Sequence, residues 1–415
     1  MPQGISIGII EPDQTEQADL RGGCSPWFAA SPRPPRHEVD ENFKCDALIV
    51  GAGITGSLVA ERLTRQGLDV VIIDREIPGR GSTAASTSML LWEIDRPLIM
   101  LAELYGLERA ARAYGASLRA VHGLQALVAM LGISCELHRR KSIYLATGSD
   151  GARLLDEHRL RRRVGLPGEY LDHKTLFEAF GLSRAAAIVS PSAADSDPLQ
   201  LSRGLLKVAA VRGARLFDAE AVEFDAAGAG VTTRLATGHE IGARSVVLAT
   251  GYVMPDIVRS SLHQVSSSWA IATRPQPEVV WKDGALIWED AEHYHYARTT
   301  SAGRIIIGGE DSDEVIEPGP RDGLIGKKSR ILTERLAELW PVADPVGEFQ
   351  WAGTFDTTRD GLPLIGPVAG AKGVYAAYGY GGNGITFSFL AAQLLGDLIA
   401  GSTSQLLDDF AIDRA

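Results

Sequence analysis

The sequence predicts a discontinuous α/β fold, in which a parallel sheet is interrupted by an α+β domain built on an antiparallel sheet. Three observations carry this reading. Asp46 to Asp74 holds an apolar strand, a helix and a second apolar strand, a complete βαβ unit of about thirty residues. A further buried strand, Ser245-Val246-Val247-Leu248-Ala249, appears far along the chain. Between 265 and 309 apolar and polar residues alternate, the pattern of antiparallel strands.

In chain order, residues 1–44 read as an irregular leader, because Pro and charge dominate around Ser31-Pro32-Arg33-Pro34-Pro35-Arg36. Trp27 and Phe28 are costly to expose and are expected to pin this leader to the body. The unit at 46–74 follows. Leu and Ala recur at three- and four-residue steps from Pro97 to Gly132, which predicts a helix. A strand is expected at 142–146, helices at 151–164, 172–180 and 198–212, and short strands at 215–217, 221–225 and 230–235. Strands at 265–273, 285–289, 293–299 and 304–308 form the alternating section, with a turn at Ser301-Ala302-Gly303. A helix over 323–340 stops at Pro341, and a long apolar helix covers 385–400. The expected domains are the leader 1–44, a nucleotide domain of 45–95, 190–255 and 352–415, and a substrate domain of 96–189 and 256–351.

Composition narrows the function. The chain of 415 residues is 45% hydrophobic and 22% charged, as in ordinary globular proteins, which excludes wholesale disorder. A net charge of −11 argues against nucleic acid as a partner. The basic runs His138–Lys141 and Arg159–Arg163 are short and read as solvated surface. Cys24, Cys45 and Cys135 are odd in number, widely spaced and free of any CxxC, which points to a reducing compartment and against structural zinc. No apolar run reaches the roughly 18–20 residues of a membrane span, and the N-terminus lacks a secretory pattern. A cytoplasmic protein without a membrane span is expected.

Gly51, Gly53 and Gly56 form GxGxxG between a strand and a helix. Gly51 permits the tight turn, Gly53 lets a pyrophosphate approach the backbone, and Gly56 lets the helix pack close to the strand. Ile54 and Thr55 open the helix, whose N-terminus presents free N–H groups to phosphate. Asp74, roughly twenty residues on, is placed to accept hydrogen bonds from ribose hydroxyls, which argues against a 2′-phosphate. This makes the parallel domain Rossmann-type. The loop alone leaves NAD and FAD open. Three further segments decide for FAD: Gly79–Thr87 with its small hydroxyl residues, Val247–Gly251 closing the mid-chain strand, and the C-terminal pair Asp360-Gly361-Leu362-Pro363-Leu364-Ile365-Gly366 and Gly379-Tyr380-Gly381-Gly382-Asn383-Gly384-Ile385-Thr386.

Over about residues 45–400 these motifs together resemble the FAD-dependent oxidoreductase family of D-amino-acid oxidase, glycine oxidase and sarcosine oxidase. The leader with Ser25-Pro26-Trp27-Phe28 is similar to that of γ-glutamylputrescine oxidase-type members. The resemblance implies FAD stretched across the nucleotide domain, with its adenosine end by Gly51–Gly56, Asp74 and Arg75. It implies that Ser82, Thr83 and Thr87 meet the diphosphate and ribityl region, that Val222 meets adenine through its backbone, and that Thr250, Gly251 and Gly361 belong to the cofactor site. Gly382, Asn383, Gly384, Ile385 and Thr386 would lie beneath the isoalloxazine, where a helix N-terminus stabilises the negative charge of reduced flavin. Some members attach FAD through Cys or His. No Cys follows Cys135 and Ser82–Thr87 has no His, so noncovalent FAD is expected.

On the substrate side, strand alternation puts Tyr294, Tyr296 and Arg298 on one face and His293 and His295 on the other. Arg298 either pairs a substrate carboxylate or bonds a protein carboxylate. His293-x-His295 lacks an evident third ligand, so no metal is expected. Glycine oxidase-like members carry an Arg-Pro pair before the DGLP motif. Phe355 stands where that Arg would be, and Gly382 replaces the Arg found in another form of the final loop. Both departures favour an amine, or a differently oriented acid, over a simple α-amino acid. Trp269, Phe355 and Tyr380 would form an aromatic wall, and Asp356 would meet a cationic amine. The resulting reading is an FAD-dependent oxidoreductase that oxidises a C–N bond of an amine or amino acid by hydride transfer to the flavin, with O₂ or another acceptor downstream. Its substrate pocket would hold Tyr296, Arg298, Phe355 and Tyr380. Oxidation of a 2-hydroxy acid and flavin binding without turnover are the alternatives. An NAD-dependent dehydrogenase is disfavoured by the GGNGIT loop.

Overall fold

The strand Phe43–Val50 lies between Val70–Asp74 and Glu240–Leu248 and runs parallel to both. Ala47, Leu48 and Ile49 are wholly buried, which explains the unbroken apolar run: this part of the sheet is covered on both faces. Arg215–Asp218 continues the sheet beyond Val70–Asp74, and Val374–Tyr378 continues it beyond Glu240–Leu248. One sheet is thus drawn from the start, the middle and the end of the chain. Helices Ile54–Arg65, Pro198–Val211 and Gly384–Ile399 contribute to the apolar core on one face. Strands Ala221–Asp225 and Val231–Leu235 extend from Glu240–Leu248 as an antiparallel meander and help bury the other. The computed structural model describes residues 21–30, 37–149, 151–226, 230–258, 260–291, 294–315 and 317–414.

A second sheet carries, in spatial order, Arg21–Gly23, Gly347–Thr358, His263–Thr273, Ile305–Ser312, Tyr296–Thr299, Leu286–Asp290, His138–Ala146, Ala186–Asp195 and Met89–Leu90. Its neighbours are antiparallel except Leu286–Asp290, which pairs in parallel with His138–Ala146. The purely antiparallel expectation is corrected at that point. Parallel partners need a long crossover, and residues 147–285 supply it. Ala186–Asp195 and Gly347–Thr358 are strands that the sequence pattern did not reveal. The first is built largely of small residues with Pro191 in its middle. The second straddles the expected boundary at 352, and Met89–Leu90, from within 45–95, also pairs in this sheet.

The expected helix over 97–132 is two helices, Leu98–Tyr105 and Leu107–Leu131, parted by Gly106 at φ 80°. The leader is less irregular than expected, because Arg21–Gly23 is a strand on Gly347–Thr358 and Pro26–Ala30 a 3₁₀ turn. Trp27 does pin it: the indole N–H donates to the Ser86 carbonyl at 2.8 Å, and the Ser25 hydroxyl donates to the Ala84 carbonyl at 2.8 Å. Arg80 stacks over Phe28. Among the described residues no helix is long and apolar enough to cross a membrane.

Candidate active site

A cavity of about 650 Å³ is lined by residues of both sheets. At its nucleotide end, Gly51 leaves the strand with φ 108°, and a Cβ there would meet the Ala249 carbonyl oxygen at 2.3 Å. A Cβ on Gly56 would lie 1.8 Å from the Gly51 carbonyl oxygen, so Gly56 shapes the turn from behind and does not line the cavity. Gly51, Gly53, Ile54 and Thr55 do line it. The Thr83 hydroxyl accepts the Ile54 N–H at 2.9 Å, which caps the helix start and keeps the hydroxyl's own hydrogen as a donor. Thr55 Oγ1 lies 2.8 Å from Ser388 Oγ, joining the first and last helices of the nucleotide sheet.

Asp74 stands where the spacing puts it, on the cavity wall at its strand's end. Its Oδ2 accepts the Ala52 N–H at 2.6 Å and its Oδ1 the Glu76 N–H at 2.8 Å. Burial pushes its pKa up and the two backbone donors oppose that shift. Each oxygen retains acceptor capacity for a hydroxyl. Arg75 lies 3.7 Å from Glu220. Arg75, Ser82, Thr83, Thr87, Val222, Thr250 and Gly251 also line the cavity. These features fit the extended dinucleotide that the sequence implies: a glycine cradle without Cβ atoms, a carboxylate at the end of the next strand, and hydroxyl residues beyond.

Gly361, Asn383 and Thr386 do not line the cavity. Gly361 turns the chain at φ 75° beside Arg96. The Asn383 amide donates to the Leu91 and Glu93 carbonyls at 3.1 and 2.8 Å, and the Thr386 hydroxyl to the Leu91 carbonyl at 2.8 Å. These two side chains therefore hold the segment 91–93 in place. Gly382, Gly384 and Ile385 remain on the wall. Gly381 and Gly382 make room for a residue that sequence reasoning missed: a Cβ on Gly381 would meet Asp95 Oδ2 at 2.3 Å, and one on Gly382 would meet Asp95 Oδ1 at 2.9 Å. Asp95 accepts the Gly382 N–H and the Tyr294 hydroxyl, and burial raises its pKa. No spacing rule links Asp95 to the glycine loop, so no local signal could have found it.

At the other end, Tyr294 and Tyr296 share the cavity face, with ring centroids 5.9 Å apart. Tyr296 lies on Gly308, where a Cβ would meet its hydroxyl at 2.5 Å. Trp288 completes an aromatic row, edge-on to Tyr294 at 6.2 Å and stacked on Tyr144 at 3.9 Å. Ser268, Asp311, Phe355, Asp356 and Tyr380 also line this end. Asp356 Oδ2 accepts the Gly379 N–H at 2.6 Å and lies 3.7 Å from His263 Nε2. Burial raises the pKa of the Tyr294, Tyr296 and Tyr380 phenols, which keeps them protonated donors.

Two expectations fail here. Arg298 does not line the cavity. Its Nη1 donates to the carbonyls of Thr87, Ser88 and Ser196 at 2.9, 2.9 and 3.0 Å, and its Nη2 lies 3.5 Å from Asp195. The guanidinium, over the Trp27 ring, is a structural clamp, so it has no donor set left for a substrate carboxylate. Trp269 borders the cavity, but its indole belongs to the core behind the sheet and donates to the Arg321 carbonyl at 3.2 Å. His293 lies outside the described residues, and among these no group of three or more His, Cys, Asp or Glu is placed to hold a metal. Among the described lining residues the basic ones are Arg75 and Arg80, both on the segment after Asp74, while Asp95, Asp311 and Asp356 flank the aromatic end.

Comparison with known proteins agrees with this architecture. A family model described as "FAD dependent oxidoreductase" matches residues 46–398. The chain is 23% identical over 401 residues to the gamma-glutamylputrescine oxidoreductase of Escherichia coli, covering 93% of this chain and 91% of that protein. It is 26% identical over 379 residues to the glycine oxidase of Geobacillus kaustophilus, covering 85% and 92%. The crystal structure of glycine oxidase from Geobacillus kaustophilus shares the fold with a TM-score of 0.74 at 23% identity, covering 90% of this chain and 99% of that one. L-proline dehydrogenase from P. horikoshii also has a TM-score of 0.74, at 18% identity and 89% and 97% coverage. A glycine cradle, a carboxylate at the end of the next strand and a match spanning most of the sequence lead to one assignment: the chain belongs to the family of FAD-dependent oxidoreductases that includes glycine oxidase.

Proposed function

We propose that this FAD-dependent oxidoreductase oxidises the C–N bond of an amine that lacks an α-carboxylate. The observation that carries the proposal is the fate of Arg298. The arginine two residues after Tyr296 is spent on three backbone carbonyls and Asp195. The wall it leaves behind is aromatic and acidic, with Trp288, Tyr294 and Tyr296 between Asp95 and Asp311. Aromatic faces and carboxylates attract an ammonium group and disfavour a carboxylate. The similarity to gamma-glutamylputrescine oxidoreductase supports an amine, and that to glycine oxidase keeps amino acids as the comparison class.

When bound, FAD supplies the acceptor for the two electrons and hydrogen that leave carbon as C–N becomes C=N, and water then hydrolyses the imine. The protein's own residues bind and orient. Asp95 and Asp311 attract the ammonium, which releases one proton to solvent so that the neutral amine is the form oxidised; Trp288, Tyr294 and Tyr296 line the reacting end, and Phe355 and Tyr380 close the pocket towards the C-terminal loop. None of the three cysteines lines the cavity, which supports noncovalent FAD.

The test is the visible spectrum of the purified holoenzyme during anaerobic titration with amines, amino acids and 2-hydroxy acids. Bleaching of the flavin bands by amines, with α-amino acids much weaker, is the expected result. Bleaching by amino acids or hydroxy acids in preference to amines overturns the substrate class, and flavin that none of them reduces overturns turnover.

A further inference from the structure

His295 lies between the two cavity-lining tyrosines in sequence, and its ring is engaged away from them. Nδ1 lies 3.1 Å from Glu289 Oε2 and Nε2 lies 3.0 Å from Glu310 Oε1. A carboxylate at each ring nitrogen requires both nitrogens to donate, which is the protonated imidazolium form. The His295 backbone N–H donates to Glu289 as well, at 3.2 Å. The other described charged groups around this cluster are Arg184, 3.6 Å from Glu289, and Lys328, which donates to the Glu310 carbonyl at 2.7 Å and lies 3.4 Å from its carboxylate.

Every member of this trio is next in sequence to a residue of the cavity wall. Trp288 precedes Glu289, Tyr294 and Tyr296 flank His295, and Asp311 follows Glu310. The trio thus ties three strand segments together. Glu310 needs such a tie, since it is a non-glycine residue at φ 60°, in the left-handed region. Gly309 before it has φ 135°, and a Cβ there would meet the Tyr294 carbonyl oxygen at 2.7 Å. The register against His263–Thr273 shifts here, with Gly309 opposite Trp269 and Ser312 opposite Ser267, and this bulge sets where Asp311 enters the cavity.

We propose that His295 is a positioning residue: by bridging Glu289 and Glu310 behind the sheet, it fixes Trp288, Tyr294, Tyr296 and Asp311 in the substrate end of the cavity. Burial opposes charge on the ring, but hydrogen bonds and attraction from the two carboxylates outweigh it, so the folded pKa is raised. The sign follows from linkage. The clamp is fully formed below the ordinary imidazole range and is lost as pH rises through the raised pKa.

Hydrogen exchange of the holoenzyme, corrected for intrinsic rates, tests this without knowledge of the substrate. In the wild type, residues 286–299 and 305–312 should lose protection about tenfold as pH climbs through the His295 titration, while residues 43–65 stay constant. His295→Gln should be loose there at all pH values with a flat profile. Glu310→Gln should shift the wild-type midpoint downwards, because one of the two carboxylates is gone. An unchanged pH profile in His295→Gln, or equal loss of protection across the whole molecule, overturns the proposal. A kinetic arm rests on the amine reading: with an amine that bleaches the flavin, His295→Gln should raise KM about tenfold and leave kcat within about twofold, the split expected when ground-state and transition-state binding fall together. If no amine bleaches the flavin, that reading fails and the exchange data alone decide the clamp.

Discussion

Asp95 accepts the backbone N–H of Gly382 at 2.7 Å, which couples the substrate wall to the loop that starts the C-terminal helix. Its other oxygen accepts the Tyr294 hydroxyl at 3.1 Å. Asp95→Ala leaves both donors unpaired, a loss on the order of 1–3 kcal/mol. Stopped-flow flavin reduction by a competent amine should slow at least about tenfold, and Asp95→Asn should fall between. Wild-type rates in Asp95→Ala would remove Asp95 from the site.

Arg298 distinguishes a structural clamp from a carboxylate binder. Removing it leaves the buried carbonyls of Thr87, Ser88 and Ser196 without their donor, while Asp195 keeps Arg140 at 2.9 Å. Arg298→Ala should destabilise the protein by roughly 1–3 kcal/mol for each buried carbonyl left unpaired. Residual activity should fall equally for substrates with and without a carboxylate. A selective loss for carboxylate-bearing substrates, measured as a ratio of kcat/KM values, contradicts this.

Gly56→Ala should purify as a colourless or weakly yellow protein. The added methyl would collide with the Gly51 carbonyl oxygen at 1.8 Å and push the helix off the cradle. The absorbance ratio at the flavin and protein bands is the measurement, and full flavin content would refute the cradle.

The leader is bonded to Ala84 and Ser86, inside a segment that lines the cavity, and is expected to contribute to cofactor retention. Trp27→Ala removes the bond to Ser86 and the ring beneath Arg298. A cost of roughly 3–5 kcal/mol is expected for the buried indole, together with faster flavin release on dilution. A variant that loses thermal stability but releases flavin at the wild-type rate separates the leader from the cofactor.

Arg414 bonds Asp360 at 2.8 and 2.9 Å, and Tyr105 donates to the same carboxylate at 2.7 Å. Burial pulls the Asp360 pKa up, but Arg414 and Tyr105 outweigh it, so the folded pKa is lowered. The stabilisation is present above the ordinary carboxylate range and is lost as pH falls through the folded pKa. Thermal melts should therefore show a steeper loss on acidification in the wild type than in Asp360→Asn. Parallel curves would dismiss the pair as a source of acid sensitivity.

Local chemistry was legible in the sequence and assembled chemistry was not. Gly51, Gly53 and Asp74 fall where a strand–turn–helix–strand unit must place them, since each is fixed by residues only a few positions away or by one short strand pairing. The shared face of Tyr294 and Tyr296 followed from the period of a strand. Asp95, Trp288 and Asp311 reach the same cavity only through sheet register and the bulge at Gly309–Glu310, which no short window encodes. Arg298 and Asn383 have the right chemistry for ligand contact, yet each is consumed by backbone carbonyls from distant segments. Ala186–Asp195 escaped notice because alanine and serine give no apolar period, although its partners bury it.

The placement of Glu240–Leu248 between Phe43–Val50 and Val374–Tyr378 bears on how the molecule is made. No contiguous stretch of the gene encodes a nucleotide-binding half. As the chain leaves the ribosome, the glycine turn and its helix emerge early, but the sheet that backs them waits for residues near the far end. Arg21–Gly23 waits as well, because its partner Trp351–Gly353 is among the later segments to appear. Such distant pairings are slow to form. The sheet behind the flavin site is therefore finished only once Val374–Tyr378 has been made, and a nascent chain stalled before Val374 has no finished cradle to offer.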